Sequence, residues 1–188
     1  MRAVVYTLGC KVNDVESGSI IRGLEEMGYT VSRFLEENAD LYIINTCAVT
    51  AEAERKSRQT VGKAIKCNPN AKIIVCGCAS EKSPTAFLEK GGTMYAVTGA
   101  QRKNQVLEIV KAGLEKDARG VKIEEEKSYE EMPLPECLKT RNFVKIQDGC
   151  NRFCSYCIIP YARGRVRSRA PEDIRAELER LAQNGYKE

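Results

Sequence analysis

A chain of 188 residues with 43% hydrophobic and 30% charged residues can bury a core as one large domain, or as one domain plus part of another. Its net charge of +4 neither demands nor excludes a nucleic-acid partner. No apolar run reaches membrane-spanning length, and nine cysteines, an odd number with no secretory leader in the sequence, argue against disulfide pairing and fit a reducing cytoplasm.

Residues 1–116 alternate short apolar runs with helical patterns. Residues 3–8 read as a strand, too short to be the apolar part of a leader ahead of Cys10. Asn13, with Glu16 three residues later, matches a capping box. It would open a helix with Ile20, Ile21, Leu24 and Met27 on one face and Gly28 at its close. A weak strand is expected near 30–34 and a buried one at 41–44. A basic helix follows over 50–66, then a strand at 72–76, a short helix from Ser83-Pro84 and a strand at 94–98. A last helix spans 102–116, with Val106, Leu107, Val110 and Leu114 inward. This alternation predicts an α/β domain, Rossmann-like or flavodoxin-like, with a largely parallel sheet covered on both faces.

Residues 117–140 carry an acidic run and two prolines, which suits an exposed connector or an extended arm laid over one domain. Residues 142–147 then read as a strand. Pro171 and Gly185 bracket a helix with Ile174, Leu178 and Leu181 on one side. Residues 141–188 thus form one strand–loop–helix unit, and barrel enzymes place their chemistry on the loop after each strand.

That loop holds Cys150, Cys154 and Cys157 at C-x3-C-x2-C spacing, with Tyr156 before the last thiol. Three close thiolates can hold three corners of a four-iron cluster and leave the fourth iron open to a small molecule. Zinc is the alternative, but it wants a fourth ligand. The chain has no histidine, and Cys137 is the one nearby extra thiol.

Cys10, Cys47 and Cys78 each fall just past the C-terminal end of an expected strand. In a parallel sheet those ends share one edge, where open α/β folds bind ligands. Cysteines are also ordinary buried residues, yet that leaves their shared position unexplained. A second three-thiol site is therefore expected. Cys67 at a helix end, Cys76 inside a strand and Cys137 in the connector are expected to be structural or incidental.

The C-x3-C-x2-C loop resembles the signature of radical S-adenosylmethionine enzymes. The run Ile158-Ile-Pro-Tyr-Ala-Arg163-Gly-Arg165-Val-Arg167-Ser-Arg169 is similar to the methylthiotransferase branch of that superfamily. So are Thr7-Leu-Gly-Cys10-Lys-Val-Asn13, Asn45-Thr-Cys47 and Gly77-Cys78. The Leu8–Asn13 opening most resembles the subgroup acting on threonylcarbamoyladenosine in tRNA.

The resemblance implies an enzyme that converts N6-threonylcarbamoyladenosine beside the tRNA anticodon to its 2-methylthio derivative. It implies two 4Fe-4S clusters and S-adenosyl-L-methionine as cofactors. Cys150, Cys154 and Cys157 would hold the cluster whose open iron binds the amino and carboxylate groups of S-adenosylmethionine, and Tyr156 is a candidate contact to that cofactor. One electron would cleave the cofactor to a deoxyadenosyl radical. Cys10, Cys47 and Cys78 would hold the auxiliary cluster that carries the inserted sulfur. Implied partners are the tRNA anticodon stem-loop and an electron donor such as flavodoxin or ferredoxin; no membrane is involved and the location is cytoplasmic. Residues 1–116 would be the auxiliary-cluster domain, 117–140 a linker, and 141–188 the first βα unit of a radical S-adenosylmethionine partial barrel. An N-terminal fragment of this kind is expected to have a poorly anchored C-terminal segment and no activity alone.

Arg163, Arg165, Arg167 and Arg169 alternate; if extended, they would present four guanidiniums on one side, suited to a phosphate or to the threonyl carboxylate. A solvated charged edge is the bland alternative. The basic helix of Arg55, Lys56, Arg58, Lys63 and Lys66 reads as a solvated face rather than a tRNA contact. Other readings are a methylthiotransferase acting on isopentenyladenosine tRNA or on a ribosomal protein, and a non-catalytic iron- or zinc-binding module. The Lys11-Val-Asn13 opening argues against the ribosomal-protein reading.

Overall fold

The computed structural model describes residues 1–35, 38–90, 94–114, 120–134 and 141–188. In chain order the elements are β1 (Arg2–Thr7), α1 (Lys11–Glu26), β2 (Thr30–Ser32), β3 (Leu41–Thr46), α2 (Ala51–Cys67), β4 (Lys72–Gly77), α3 (Cys78–Lys82) and α4 (Thr85–Leu88). There follow β5 (Met94–Thr98), α5 (Asn104–Lys111), β6 (Gly120–Lys122), β7 (Gln147–Asp148), α6 (Ile159–Arg163), β8 (Arg167–Ser168) and α7 (Pro171–Gln183). Six strands form one parallel sheet in the order β2-β1-β3-β4-β5-β6, the Rossmann-like α/β arrangement.

Strand alternation divides the core cleanly. Val4, Tyr42, Ile44, Ile73, Val75 and Val97 face one side, where α2 contributes Val61 and Ala64, α4 contributes Phe87, and α6 contributes Ala162. Ala3, Val5, Leu41, Ile43, Ile74 and Cys76 face the other, under Ile20 and Leu24 of α1 and Val106 and Val110 of α5. Every residue of β3 is buried, because a central parallel strand is covered on both faces. Thr50 caps α2, its hydroxyl accepting the Ala53 N–H at 3.1 Å.

Several expectations change. The capping box does not form: α1 begins at Lys11 with Cys10 as its N-cap, so Asn13 and Glu16 lie inside the helix with long-range partners. The expected 102–116 helix contracts to Asn104–Lys111. Residues 142–147 are not a strand; only Gln147–Asp148 pairs, antiparallel to β8. The connector takes its arm-like form. Its start adds β6 to the sheet, and the Glu130 carboxylate accepts the N–H groups of Lys103 and Asn104 at 2.6 and 2.9 Å, satisfying free donors at the start of α5.

The C-terminal segment is docked rather than poorly anchored. Helix α6 packs on α3, and Arg163 enters the buried interior beside α1. The exposed side of α7 keeps Leu178 about half accessible. Among the described residues no helix is long and apolar enough to cross a membrane.

Candidate metal centre at the strand ends

Strands β1, β3 and β4 are immediate neighbours and all run the same way. Thr7 pairs with Asn45, and Asn45 with Cys76. Cys47 and Cys78 therefore each lie two residues past one rung of the ladder, and Cys10 lies three past it. With neighbouring strands about 4.8 Å apart, the fold brings these three sequence-distant thiols to one edge. Cys47 and Cys78 are buried and Cys10 is exposed.

The loops that carry them are tightly held. Asn13 Nδ2 donates to Leu8 O at 2.8 Å and to Thr46 O at 3.0 Å, clipping the backbone ahead of Cys10 to the backbone ahead of Cys47. Asn45 Nδ2 donates back to Asn13 O and to Ser17 Oγ, both at 3.1 Å. The Ser57 hydroxyl accepts the Cys47 N–H at 3.1 Å. Thr46 Oγ1 donates to Cys76 O at 2.7 Å and accepts the Ser80 N–H at 3.2 Å, tying β3 to the start of α3. Gly9 has φ +100, and a Cβ there would sit 2.6 Å from both Cβ and Sγ of Cys47. Only glycine permits that approach.

The second set lies on one loop between β7 and α6. Cys157 N–H donates to Cys154 O at 2.9 Å, Cys150 N–H to Gly164 O at 3.1 Å, and Arg152 N–H to Cys150 Sγ at 3.5 Å. Phe153, at φ +48, meets Tyr161 edge-on at 5.6 Å and lies under the Arg165 guanidinium at 4.9 Å. Tyr156 is 91% exposed.

Between the two sets runs a buried ionic network. Arg163 Nη1 bonds Glu16 Oε1 at 2.7 Å and Asp148 Oδ1 at 3.0 Å, and Nη2 bonds Asn13 Oδ1 at 2.7 Å. Lys145 Nζ bonds Glu16 at 2.7 Å and Asp148 at 2.8 Å. Lys103, 1% exposed, reaches Asn45 Oδ1 at 3.0 Å and Glu16 at 3.6 Å. Arg167 lies 3.5 Å from Asp148. Burial raises the Glu16 pKa, but the Arg163, Lys145 and Lys103 cations outweigh it and hold that carboxyl well below the usual range. Asp148 is lowered likewise, burial again opposed by Arg163 and Lys145.

The four arginines do not form one exposed row. Arg163 and Arg167 point into this network, and Arg169 pairs with Glu177 and Glu131. Arg165 alone stands outward. The expected single row of four guanidiniums requires an extended chain, and it fails because Arg163 ends helix α6 and only Arg167–Ser168 is strand. From sequence, Asn13 and Glu16 read only as a capping box, and Asn45 and Lys103 have no assigned role in the network. Asn13 and Asn45 do fall within the cysteine-bearing motifs, which was the available signal.

As the side chains stand, no group of three or more His, Cys, Asp or Glu among the described residues is arranged to hold a metal ion. The donor chemistry nevertheless fits a thiolate-bound iron–sulfur group. Each set offers three soft sulfurs, and the chain has no histidine. Lys103, Lys145, Arg163 and Arg167 surround Glu16 and Asp148, and Glu81 and Glu130 also lie within electrostatic reach of Lys103 and Lys145, so fixed positive charge that would suit an anionic occupant stands beside the thiols. Burial pushes the Cys78 thiol up, while Arg163, which hydrogen-bonds it, and Lys103 act to favour its thiolate. Cys76 lies fully inside the sheet, Cys67 ends α2 away from the edge, and Cys137 lies outside the described residues.

Comparison with known proteins agrees with this layout. Residues 2–99 match the uncharacterized protein family UPF0004, and residues 144–188 match the radical SAM superfamily. The chain therefore belongs to the UPF0004 family, and its curated relatives include enzymes named for tRNA methylthiolation. Among them is the threonylcarbamoyladenosine tRNA methylthiotransferase MtaB of Bacillus subtilis, 41% identical over 97% of this chain and 41% of that protein. Its counterpart in Aquifex aeolicus is 37% identical over 100% of this chain and 46% of its own length. The tRNA-2-methylthio-N(6)-dimethylallyladenosine synthase of Thermotoga petrophila is 37% identical, covering 100% and 42%. The chain spans less than half the length of these relatives.

Proposed function

We propose that the protein to which these residues belong is a tRNA methylthiotransferase with two 4Fe-4S clusters and S-adenosylmethionine. One observation carries this reading: two separate three-cysteine sets, one on the sheet edge and one on the β7–α6 loop, are joined by a buried cationic network. Cys10, Cys47 and Cys78 hold the auxiliary cluster, and Cys150, Cys154 and Cys157 the cluster that binds S-adenosylmethionine, with Tyr156 exposed beside it. When bound, these groups supply the one-electron chemistry needed to functionalise an unactivated C–H bond. The chain's own residues hold the thiols in place: Asn13, Asn45 and Ser57 fix the loops, and Arg163 and Lys103 keep positive charge beside Cys78.

Residues 1–116, with strand β6 added from the 117–140 linker, form the auxiliary-cluster unit, and 141–188 the opening of the radical S-adenosylmethionine barrel. The substrate is threonylcarbamoyladenosine in the tRNA anticodon stem-loop, a reading supported by the Leu8–Asn13 opening and by the two MtaB relatives. Dimethylallyladenosine tRNA is the second reading, because relatives with that activity are about as similar. A small flavodoxin or ferredoxin in the cytoplasm delivers the electron. Arg165, the outward member of the arginine run, is the one left to meet substrate.

Nucleoside analysis of tRNA from a strain lacking the full-length gene tests this. Loss of 2-methylthio-threonylcarbamoyladenosine, restored by the gene, supports the reading. Loss of the dimethylallyl derivative moves the assignment to the second. Unchanged tRNA with an undermethylthiolated ribosomal protein, or with no modification lost, overturns both.

A further inference from the structure

Arg163 lies six residues beyond Cys157, on the segment that carries one cysteine set, yet its guanidinium ends at the sheet edge that carries the other. Nη2 donates to Asn13 Oδ1, and Nη1 and Nη2 grip the two oxygens of Glu16 one turn along the same helix. Asn13 spends both amide hydrogens on Leu8 O and Thr46 O, directly ahead of the Gly9-Cys10 and Cys47 positions. An asparagine amide can face either way, with oxygen and nitrogen exchanged. An arginine donor on one side leaves a single productive orientation, the one that clips the two loops together. On the third side α6 packs on α3, which Cys78 opens, and Ala162 shares an apolar cluster with Cys78.

We propose that Arg163 is a positioning residue that makes the geometry of the Cys10, Cys47 and Cys78 loops depend on docking of the segment bearing Cys150, Cys154 and Cys157. The inference rests on the proposed function for what the two sets hold, but the coupling itself is a property of the protein's hydrogen bonds. Lysine could restore the charge but not the fork that engages Asn13 and both Glu16 oxygens together. Hydrogen bonding and net charge near cluster sulfurs set iron–sulfur potentials, so the same residue tunes the group held at Cys78.

The test uses the full-length protein and two readouts. In the metal-free form, hydrogen exchange is compared between wild type, Arg163→Gln and Arg163→Lys. Arg163→Gln is expected to raise exchange about tenfold in peptides covering 8–14 and 46–50, with β3 and β5 unchanged, and Arg163→Lys to fall between. After iron and sulfide reconstitution of a Cys150/Cys154/Cys157→Ala background, Arg163→Gln is expected to shift the potential of the remaining site to more negative values and reduce its iron. Unchanged exchange in both loops overturns the proposal, as does a rise spread equally over the strands, which would mark a residue of general stability alone. If that background binds no iron even with Arg163 intact, the proposed function fails, while the exchange arm still decides the coupling.

Discussion

Arg163 grips both carboxylate oxygens of Glu16, 147 positions earlier in the chain, at 2.7 and 3.1 Å. Both side chains are almost wholly buried. Their pairing fastens the C-terminal segment to α1, and removing one partner leaves the other charged in the interior.

Glu16→Gln should therefore destabilise the protein by about 3–5 kcal/mol, the range for breaking a buried pair. It strands Arg163, Lys145 and Lys103 together. Arg55→Ala, which removes an exposed pair with Glu52, should cost under about 0.5 kcal/mol. Denaturant unfolding of the metal-free variants measures both, and equal effects would mean the buried network contributes no more than a surface pair.

The same carboxyl predicts acid behaviour. Its folded pKa lies below that of the unfolded chain, so the unfolded state binds more protons between the two values. Its contribution is present above about pH 4.3 and is lost as pH falls toward the folded pKa. Thermal melting of the metal-free protein should show a stability decline below about pH 4.3 that is shallower in Glu16→Gln. Parallel profiles would remove Glu16 as a source of the acid sensitivity.

Gly9→Ala should damage one cysteine set and spare the other. The new Cβ would sit 2.6 Å from Cys47 Cβ and Sγ on a backbone at φ +100, so Cys47 must move. After reconstitution, this variant is expected to lose roughly half its iron, all from the N-terminal set. Full iron retention would show that the close Gly9–Cys47 approach is unnecessary for metal binding.

Cys67 lies away from the sheet edge and Cys137 in the connector, so Cys67→Ser with Cys137→Ser should leave iron content and visible absorbance unchanged. A fall in either would place one of these thiols among the ligands.

The sheet was legible because β3 and β4 each hold a continuous apolar run, Leu41–Ile44 and Ile73–Cys76, and the parallel order then carried Cys10, Cys47 and Cys78 to one edge. What sequence missed depended on distant partners. Asn13 and Glu16 carry a local capping signal, but Arg163 and the strand-end carbonyls claim their side chains. Residues 142–147 alternate as a strand should, yet a strand needs a neighbour, and only Gln147–Asp148 finds one. Strand β6 shows the reverse: three residues with little pattern pair with β5 through backbone alone. Short α3 was hidden because it starts directly where β4 ends, at Gly77.

Iron and acid-labile sulfide counted per chain in the reconstituted full-length protein, with each cysteine set replaced by alanine in turn, tests the central claim most directly. Two independent sites predict about eight irons in the wild type and about four in each triple variant. The electron paramagnetic resonance signal in each variant should belong to the surviving set, and S-adenosylmethionine should perturb only the one at Cys150, Cys154 and Cys157. A colourless zinc protein, or a Cys10/Cys47/Cys78→Ala variant that keeps all its iron, would contradict the account.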